Sequence, residues 1–207
     1  MSKGKFIVFE GIDGAGKSTQ VELLRQKLTQ MGRSVALTAE PTSLESGKAI
    51  RRALSGEVKK SECEMASMFV LDRIAHNLCD GGIAQTLESG KDIIGDRYYY
   101  STLAYQGQTT DYAWVKSMNV DCPAITRPDL CIYLDLLPEQ SLARIQKRGE
   151  ALEIYENVER LTAVRHAFLS VIDDLRRDGE RIVVIDAYRT PEEISEDIFK
   201  SVKEILF

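Results

Sequence analysis

The sequence has few of the residues that build disulfide frameworks or structural zinc sites. It contains four cysteines, none of them in a Cys-x-x-Cys pair, and only two histidines. This scarcity argues against a structural zinc site. Free thiols without a secretory signal lead us to expect a cytoplasmic protein. No apolar run approaches the length needed to span a membrane.

An excess of positive charge is also missing. The chain has 27 Lys and Arg residues against 32 Asp and Glu residues, which gives a net charge of −5. We therefore expect no non-specific binding to nucleic acid or to an anionic membrane. Any cations that bind an anionic ligand must be clustered locally. The 207 residues, 43% of them hydrophobic, predict a single domain over 1–207 with a sizeable core.

One glycine-rich segment near the start of the chain carries the strongest functional signal. It reads Gly11-Ile12-Asp13-Gly14-Ala15-Gly16-Lys17-Ser18-Thr19 and lies between an apolar run and a helical pattern. This is the phosphate-loop motif in its required strand–loop–helix context. Its glycines let backbone N–H groups surround a phosphate, Lys17 can reach the β- and γ-phosphates, and Ser18 can bind Mg²⁺. The motif indicates a bound nucleoside triphosphate but not the reaction it undergoes.

Strand-like and helix-like patterns alternate along the rest of the chain. Strands are predicted over 5–9, 34–38, 92–96, 130–135 and 182–186. Helices are predicted from the loop to about 31 and over 47–54, 62–88, 142–148, 158–177 and 191–206. Gly81-Gly82 could bend the helix over 62–88. The segment 106–129 is predicted to be partly helical. Such alternation predicts an α/β fold with a parallel sheet and helices on both faces.

Three of the predicted strands end in aspartate, at Asp96, Asp135 and Asp186. Because the carboxyl ends of parallel strands face the ligand crevice, each of these carboxylates could approach a metal. Asp96 is favoured, since Arg97 follows it and arginine matches phosphate oxygens well. A strand-end salt bridge is the competing interpretation. The four tyrosines at 98–100 and 105 favour a pocket for a flat base and a sugar.

Two further patterns have both a functional and an ordinary interpretation. Phe69 and Arg73 share one face of a predicted helix, where they could stack on a base and bind its edge; phenylalanine in a helix is more often core. The cationic stretch at 144–148, followed by Gly149, could form a lid that closes on the transferring phosphoryl group. It could equally be a solvated helix end.

Together these residues resemble the thymidylate kinases, a family of nucleoside monophosphate kinases. The most specific match is Asp-Arg-Tyr-x-x-Ser-x-x-Ala-Tyr over 96–105, and the resemblance spans nearly the whole chain. Other matching segments are Arg127-Pro128-Asp129, Tyr155-Glu156-Asn157 and Ile185-Asp186-Ala187. The resemblance implies a three-layer α/β/α P-loop kinase fold, a five-stranded parallel sheet of order 2-3-1-4-5, a short lid over about 145–157, and a homodimer.

The resemblance also implies the role of each site residue. ATP would be bound by Gly11, Ile12, Asp13, Gly14, Ala15, Gly16, Lys17, Ser18, Thr19 and Arg144, with Mg²⁺ at Ser18 and Asp96. On the dTMP side, Phe69 would stack on thymine, Arg73 would bind its edge, and Ser101, Thr102 and Gln106 would lie near it. Asp13 would contact the sugar, Tyr105 would lie beneath it and crowd out a 2′-hydroxyl, Arg97 would hold the phosphate, and Tyr155 would close over the acceptor.

The family supplies its catalytic arginine either from the phosphate loop or from the lid. Gly14 excludes the loop form, so the resemblance points to Arg148, with Arg144 and Lys147 beside it. Arg148 joins Lys17, Asp96 and Arg97 in the implied catalytic set, and such an arginine can contribute about 10³–10⁵ in rate. Many bacterial members carry arginine where this chain has Ala39. Either that phosphate contact is missing here, or Arg51 or Arg52 replaces it.

The expected reaction is phosphoryl transfer from ATP to dTMP, which gives ADP and dTDP. A kinase for another nucleoside monophosphate or for a deoxynucleoside is the main alternative, and a catalytically inactive regulatory protein is another. A GTP-dependent switch needs a guanine-reading Asn-Lys-x-Asp motif. None of the three asparagines is followed by lysine, which argues against that class.

Overall fold

The computed structural model describes residues 3–147 and 158–206, in which five strands and nine α-helices are found. The strands are β1 (Phe6–Glu10), β2 (Val35–Ala39), β3 (Asp92–Asp96), β4 (Leu130–Asp135) and β5 (Ile182–Asp186). The helices are α1 (Lys17–Gln30), α2 (Glu45–Leu54), α3 (Glu62–Leu78), α4 (Ile83–Glu88), α5 (Tyr99–Tyr105), α6 (Tyr112–Val120), α7 (Pro138–Lys147), α8 (Val158–Arg177) and α9 (Pro191–Leu206). No helix of the described ranges is long and apolar enough to cross a membrane.

The five strands form one parallel sheet in the order β2-β3-β1-β4-β5. The predicted fold class and strand order are therefore confirmed. β1 is the central strand, and all five of its residues are buried. Such a strand carries a continuous apolar run because both of its faces are covered. In β1 that run ends in a single charged residue, Glu10.

Alternating side chains of the sheet divide the core into two layers. Ile7 and Phe9 of β1 pack in a cluster with residues of α1 and α9, such as Leu24 and Ile198. Phe6 and Val8 point to the opposite face, in a cluster built with α3, α4, α5, α6 and α8. Because successive side chains of a strand point to opposite faces, this arrangement gives the predicted three layers.

The long helical pattern over 62–88 is two helices rather than one bent helix. α3 ends at Leu78 and α4 begins at Ile83. Gly81 has a φ of 70°, a left-handed conformation that favours glycine. A Cβ atom on Gly82 would lie 2.5 Å from the carbonyl oxygen of His76, so a side chain would not fit at this position. Of the 106–129 stretch, the α-helical part is α6.

The topology places three chain segments at the carboxyl end of the sheet. The glycine-rich loop follows β1, Arg97 follows β3, and α7 begins soon after β4. β1 and β3 are neighbours with Phe9 opposite Asp96, and the N–H of Arg97 donates to the Phe9 carbonyl at 2.9 Å. Ligands of open parallel sheets bind at this edge, and the predicted site residues of the described ranges therefore cluster around it.

Candidate active site

The loop between β1 and α1 has the backbone geometry that phosphate binding requires. Gly14 has a φ of 75° and Gly16 a φ of 97°, conformations that L-residues with side chains adopt at a cost. A Cβ atom on Gly14 would lie 2.9 Å from the carbonyl oxygen of Ser141 in α7. This crowding opposes an arginine at position 14, in line with the exclusion of the loop-borne catalytic arginine. α1 begins at Lys17, so its N-terminal N–H groups open onto the loop.

Lys17 is buried beneath the loop, and its amino group is held there by loop carbonyl oxygens. Its Nζ donates to the carbonyl oxygens of Gly11 at 3.1 Å and Ile12 at 3.3 Å, and it lies 3.8 Å from Asp13 Oδ1. Burial, together with the nearby positive charge of Arg97, lowers the pKa of Lys17 to about 8 against the opposing effect of three carboxylates. An arriving phosphate would add further negative charge beside this amino group and favour its protonated form.

Arg144 lies on the other side of the loop, on α7. Its two terminal nitrogens donate to the carbonyl oxygens of Gly14 at 3.3 Å and Ala187 at 2.8 Å. The guanidinium thus joins the phosphate loop to the chain just after β5. Two other predicted residues, Arg148 and Tyr155, lie outside the described residues, as does most of the predicted lid. Their assignments stay predictions.

Ser18 and Asp96, the predicted metal-binding pair, are brought together by α1 and β3. The Ser18 hydroxyl donates to Asp96 Oδ2 at 3.3 Å. Asp96 Oδ1 is buried and accepts no hydrogen bond from the described residues. A buried carboxylate oxygen without a donor is well placed to face a cation or its water. The described residues include no cluster of three or more His, Cys, Asp or Glu side chains that could hold a metal unaided.

Arg97 lies at the junction between the loop and a neighbouring cavity. It has a φ of 69°, the only positive φ of a non-glycine residue in the described ranges. Its side chain forms an ion pair with Asp13, donates to Ser101 Oγ at 3.1 Å, and lies 5.8 Å from the centre of the Tyr105 ring. Although burial favours the neutral acid, Arg97 and Lys17 hold the pKa of Asp13 below its usual value. Backbone strain at a charged residue in a cleft is typical of functional sites.

The cavity next to Arg97 has a volume of about 550 Å³. All eight predicted acceptor residues that the structure describes line it: Asp13, Phe69, Arg73, Arg97, Ser101, Thr102, Tyr105 and Gln106. Residues that sequence reasoning had not proposed complete the wall, among them Glu40, Lys59, Met65 and Arg160. Another groove of about 540 Å³, between β5 and α9, is lined by Asp186, the last of the three strand-end aspartates, and by none of the residues to which the family resemblance assigns a role. Residues that lie more than ninety positions apart in the sequence, such as Asp13 and Gln106, therefore meet at one cavity.

Arg73 is fixed within this wall by partners from three distant segments. Only 1% exposed, it lies 2.6 Å from Glu40 Oε2, donates to Thr102 Oγ1 at 3.1 Å, and donates to Asn119 Oδ1. Its guanidinium also lies 5.1 Å from the centre of the Tyr98 ring. Glu40 in turn contacts His76 at 3.0 Å. Sequence reasoning missed Glu40 and Asn119 because neither carries a local motif.

Neither Arg51 nor Arg52, the two candidates to replace the arginine absent at Ala39, is directed toward the cavity. Arg51 donates to the carbonyl oxygens of Pro41 and Thr42, and Arg52 pairs with Glu57 at 2.8 Å. Neither guanidinium lines the cavity. Of the two alternatives that the sequence left open, these contacts favour the loss of that phosphate contact over its replacement.

The fold and this loop define a P-loop nucleotide kinase. A model of the family described as "Thymidylate kinase" matches residues 9–198. The chain is 39% identical to a "Probable thymidylate kinase" of Pyrococcus horikoshii, over 99% of this chain and 98% of that protein. It is 38% identical to a "Thymidylate kinase" of Leptospira interrogans serovar copenhageni, over 85% of this chain and 86% of that protein. The chain belongs to the thymidylate kinase family.

Proposed function

We propose that this chain transfers the γ-phosphoryl group of ATP to dTMP, giving ADP and dTDP. The observation that carries the proposal is the meeting of a phosphate loop and an acceptor cavity at Arg97 and Asp13, which belong to the wall of that cavity. A triphosphate on the loop and a monophosphate in the cavity would meet there. Membership of the thymidylate kinase family supports both the reaction type and thymine as the acceptor base.

The donor side is assigned to the loop and the cations beside it. Lys17 and the loop amides hold the phosphates of ATP, and Arg144 contributes from α7. Arg148 is proposed as the catalytic arginine of the lid and Tyr155 as the residue that closes over the acceptor. We further propose that Ser18 and Asp96 hold Mg²⁺, Asp96 together with water. Mg²⁺ typically takes one or two protein carboxylates and completes its shell with phosphates and water, which fits the unpaired Asp96 oxygen.

The acceptor side is assigned to the cavity wall. Phe69 is half-buried on α3 and is proposed to stack on thymine, while Arg73 binds the base edge. Ser101, Thr102 and Gln106 lie near the base, Tyr105 lies beneath the deoxyribose, and Asp13 contacts the sugar. Arg97 holds the acceptor phosphate at the junction with the loop.

Phosphoryl transfer in this arrangement needs no covalent enzyme intermediate. An oxygen of the dTMP phosphate attacks the γ-phosphorus in line, and the bond from that phosphorus to the bridging oxygen breaks, so ADP leaves with the electron pair. Mg²⁺, which Ser18 and Asp96 would hold, would neutralise part of the charge of the reacting phosphates. The protein's own contribution is positioning and charge stabilisation, by Lys17 on the donor and by Arg97 on the acceptor.

The acceptor is tested by a panel of nucleotides. With ATP and Mg²⁺ present, we expect turnover of dTMP to exceed that of dUMP, dCMP, dGMP and thymidine. A coupled assay for ADP measures each rate. No turnover of dTMP would contradict the proposed function, and preferred turnover of another acceptor would establish the main alternative, a kinase for that nucleotide or nucleoside.

We also propose that residues 1–207 form one kinase domain that works in the cytoplasm as a homodimer. One exposed face of α3 supports the dimer. Leu71 is 59% exposed and Leu78 is 64% exposed. They lie one heptad apart, with Ala75 between them and Met68 one turn before Leu71. Apolar residues at this spacing form a stripe on one side of a helix, and two copies of the stripe can pack against each other about a twofold axis.

The stripe gives a direct test of the dimer. Replacing Leu71 by glutamate places two like charges close to the proposed axis, so we expect the variant to sediment as a monomer where the unaltered chain sediments as a dimer. Leu37→Glu is the matched control, because Leu37 is 47% exposed on the edge strand β2. Its neighbour Thr38 points to His76 of α3, so Leu37 faces the other side of the sheet. A monomeric unaltered chain would refute the dimer.

A further inference from the structure

The central strand of the sheet ends in a buried carboxylate that the proposed reaction does not use. Glu10 has no exposed surface, although glutamate is rarely fully buried without compensation. It faces the same side of the sheet as Phe6 and Val8, because side chains alternate along β1. Its carboxylate therefore lies beneath α5, the helix that follows Arg97.

Both oxygens of Glu10 are occupied by donors from the start of α5. Oε1 accepts the backbone N–H groups of Tyr98 at 2.8 Å and Ser101 at 3.2 Å. Oε2 accepts the Ser101 hydroxyl at 2.6 Å. A carboxylate at a helix N-terminus satisfies N–H groups that the helix leaves unpaired and complements its dipole. Here the capping carboxylate comes from a strand 88 residues away from Tyr98.

Ser101 connects this cap to Arg97. A hydroxyl has one proton, and Ser101 donates that proton to Glu10. The lone pairs of Ser101 Oγ are then turned toward Arg97, whose NH1 donates to them at 3.1 Å. The backbone of Arg97 is strained, with a φ of 69°, and such a conformation persists where its surroundings hold it. Two residues of β1 hold the Arg97 backbone in this conformation. The Phe9 carbonyl accepts the Arg97 N–H, and Glu10 accepts the hydroxyl of Ser101, which in turn contacts the Arg97 side chain.

We propose that Glu10 is a positioning residue that aims the Arg97 guanidinium at the acceptor phosphate by fixing the direction of the Ser101 hydroxyl. The inference rests on the proposed function, since it assigns Arg97 to the phosphate of the acceptor. Glu10 itself is not expected to touch either nucleotide. Its effect should therefore appear only with ligands that carry the 5′-phosphate.

Glutamine cannot replace this carboxylate without reversing one hydrogen bond. Its single oxygen must accept the two N–H groups at the Oε1 position, so its NH₂ group faces Ser101 Oγ as a donor. The hydroxyl proton of Ser101 must then point away from residue 10. It would occupy the side of Ser101 Oγ that now accepts the hydrogen bond from Arg97 NH1. Glu10→Gln thus keeps the size of the side chain and disturbs the contact to Arg97.

The test compares the binding of dTMP and thymidine, which differ by the phosphate alone, by calorimetry. In Glu10→Gln we expect the ratio of the two affinities to fall on the order of tenfold, the effect of misplacing one charge-assisted hydrogen bond. Thymidine affinity should stay as it is and thereby report a folded cavity. Glu180→Gln is the matched control. Glu180 accepts the hydroxyls of Tyr99 at 2.8 Å and Tyr100 at 2.6 Å, so it holds the same helix without contacting Ser101.

Each outcome separates this inference from the proposed function. An unaltered chain that binds thymidine as tightly as dTMP would contradict the proposed function. A Glu10→Gln variant with the unaltered ratio, or a Glu180→Gln variant with an equal fall, would overturn the role of Glu10 alone. Ser101→Ala breaks the same link from its other end, and in the double variant we expect no greater fall than in either single one. Additive falls would show that Glu10 does not act through Ser101.

Discussion

Replacement of Arg97 by alanine is expected to lower kcat/KM for dTMP on the order of 10²–10³, the usual effect of removing one charge-stabilising donor from a reacting centre. Arg97 is the cation at the junction of loop and cavity, and its ion pair with Asp13 and hydrogen bond to Ser101 fix its direction. Its removal takes away the group proposed to hold the acceptor phosphate. The loop amides and Lys17 remain, so ATP affinity should change little. Steady-state kinetics with each substrate varied in turn measure both effects.

Two companion variants separate the guanidinium from the strained backbone beneath it. Arg97→Gly also lacks the guanidinium, but glycine accepts a φ of 69° without strain. We expect it to match Arg97→Ala in activity and to exceed it in stability by ~1 kcal/mol. Arg25→Ala removes an arginine that pairs with Glu22 on the surface of α1 and should leave the kinetics unchanged. Equal losses for ATP and dTMP in Arg97→Ala would contradict its acceptor-side role.

The strands were the part of the fold that local sequence described best. β3, β4 and β5 begin and end where their apolar runs predict, and β1 and β2 are displaced by one residue. Strand patterns are reliable here because buried parallel strands are nearly continuous apolar runs bounded by polar residues. The break between α3 and α4 was not predicted, because it depends on the backbone of Gly82 approaching His76 and Cys79. Such a close approach exists only in three dimensions.

The residues of the candidate site also differ in how far local sequence could identify them. Residues within motifs, such as Lys17 and the run from Asp96, could be found from spacing and from the family resemblance. Glu10 and Glu40 could not, because their importance comes from partners far along the chain: Ser101 lies 91 residues from Glu10. One signal was present in the sequence, a lone charged residue closing the apolar run of β1. Its meaning depends on knowing that α5 begins above it.

Replacement of Lys17 by alanine is expected to reduce phosphoryl transfer on the order of 10²–10³, again the effect of removing one preorganised cation from a transferring phosphoryl group. The lysine is only 8% exposed and donates to Gly11 and Ile12 of the loop, so its amino group is already in position before the nucleotide binds. Single-turnover measurements with saturating ATP and dTMP would isolate the transfer step. Lys27→Ala is the matched control, because Lys27 lies on the same helix and donates to Ser195 at 3.3 Å, away from the loop.

Titration of Lys17 supplies a readout that a loss of folding would not imitate. Its pKa is lowered to about 8, so near pH 8 about half of the molecules carry a neutral amine before ATP binds. Bound phosphates favour the ammonium and raise that pKa. The part of the proton uptake on ATP binding that depends on Lys17 should be about half a proton near pH 8 and should vanish as the pH falls toward 6, and affinity should weaken as the pH rises above 8. Calorimetry in two buffers of different ionisation enthalpy measures the uptake. Lys17→Ala should show none of it, whereas unchanged uptake in that variant would assign the titration to another group.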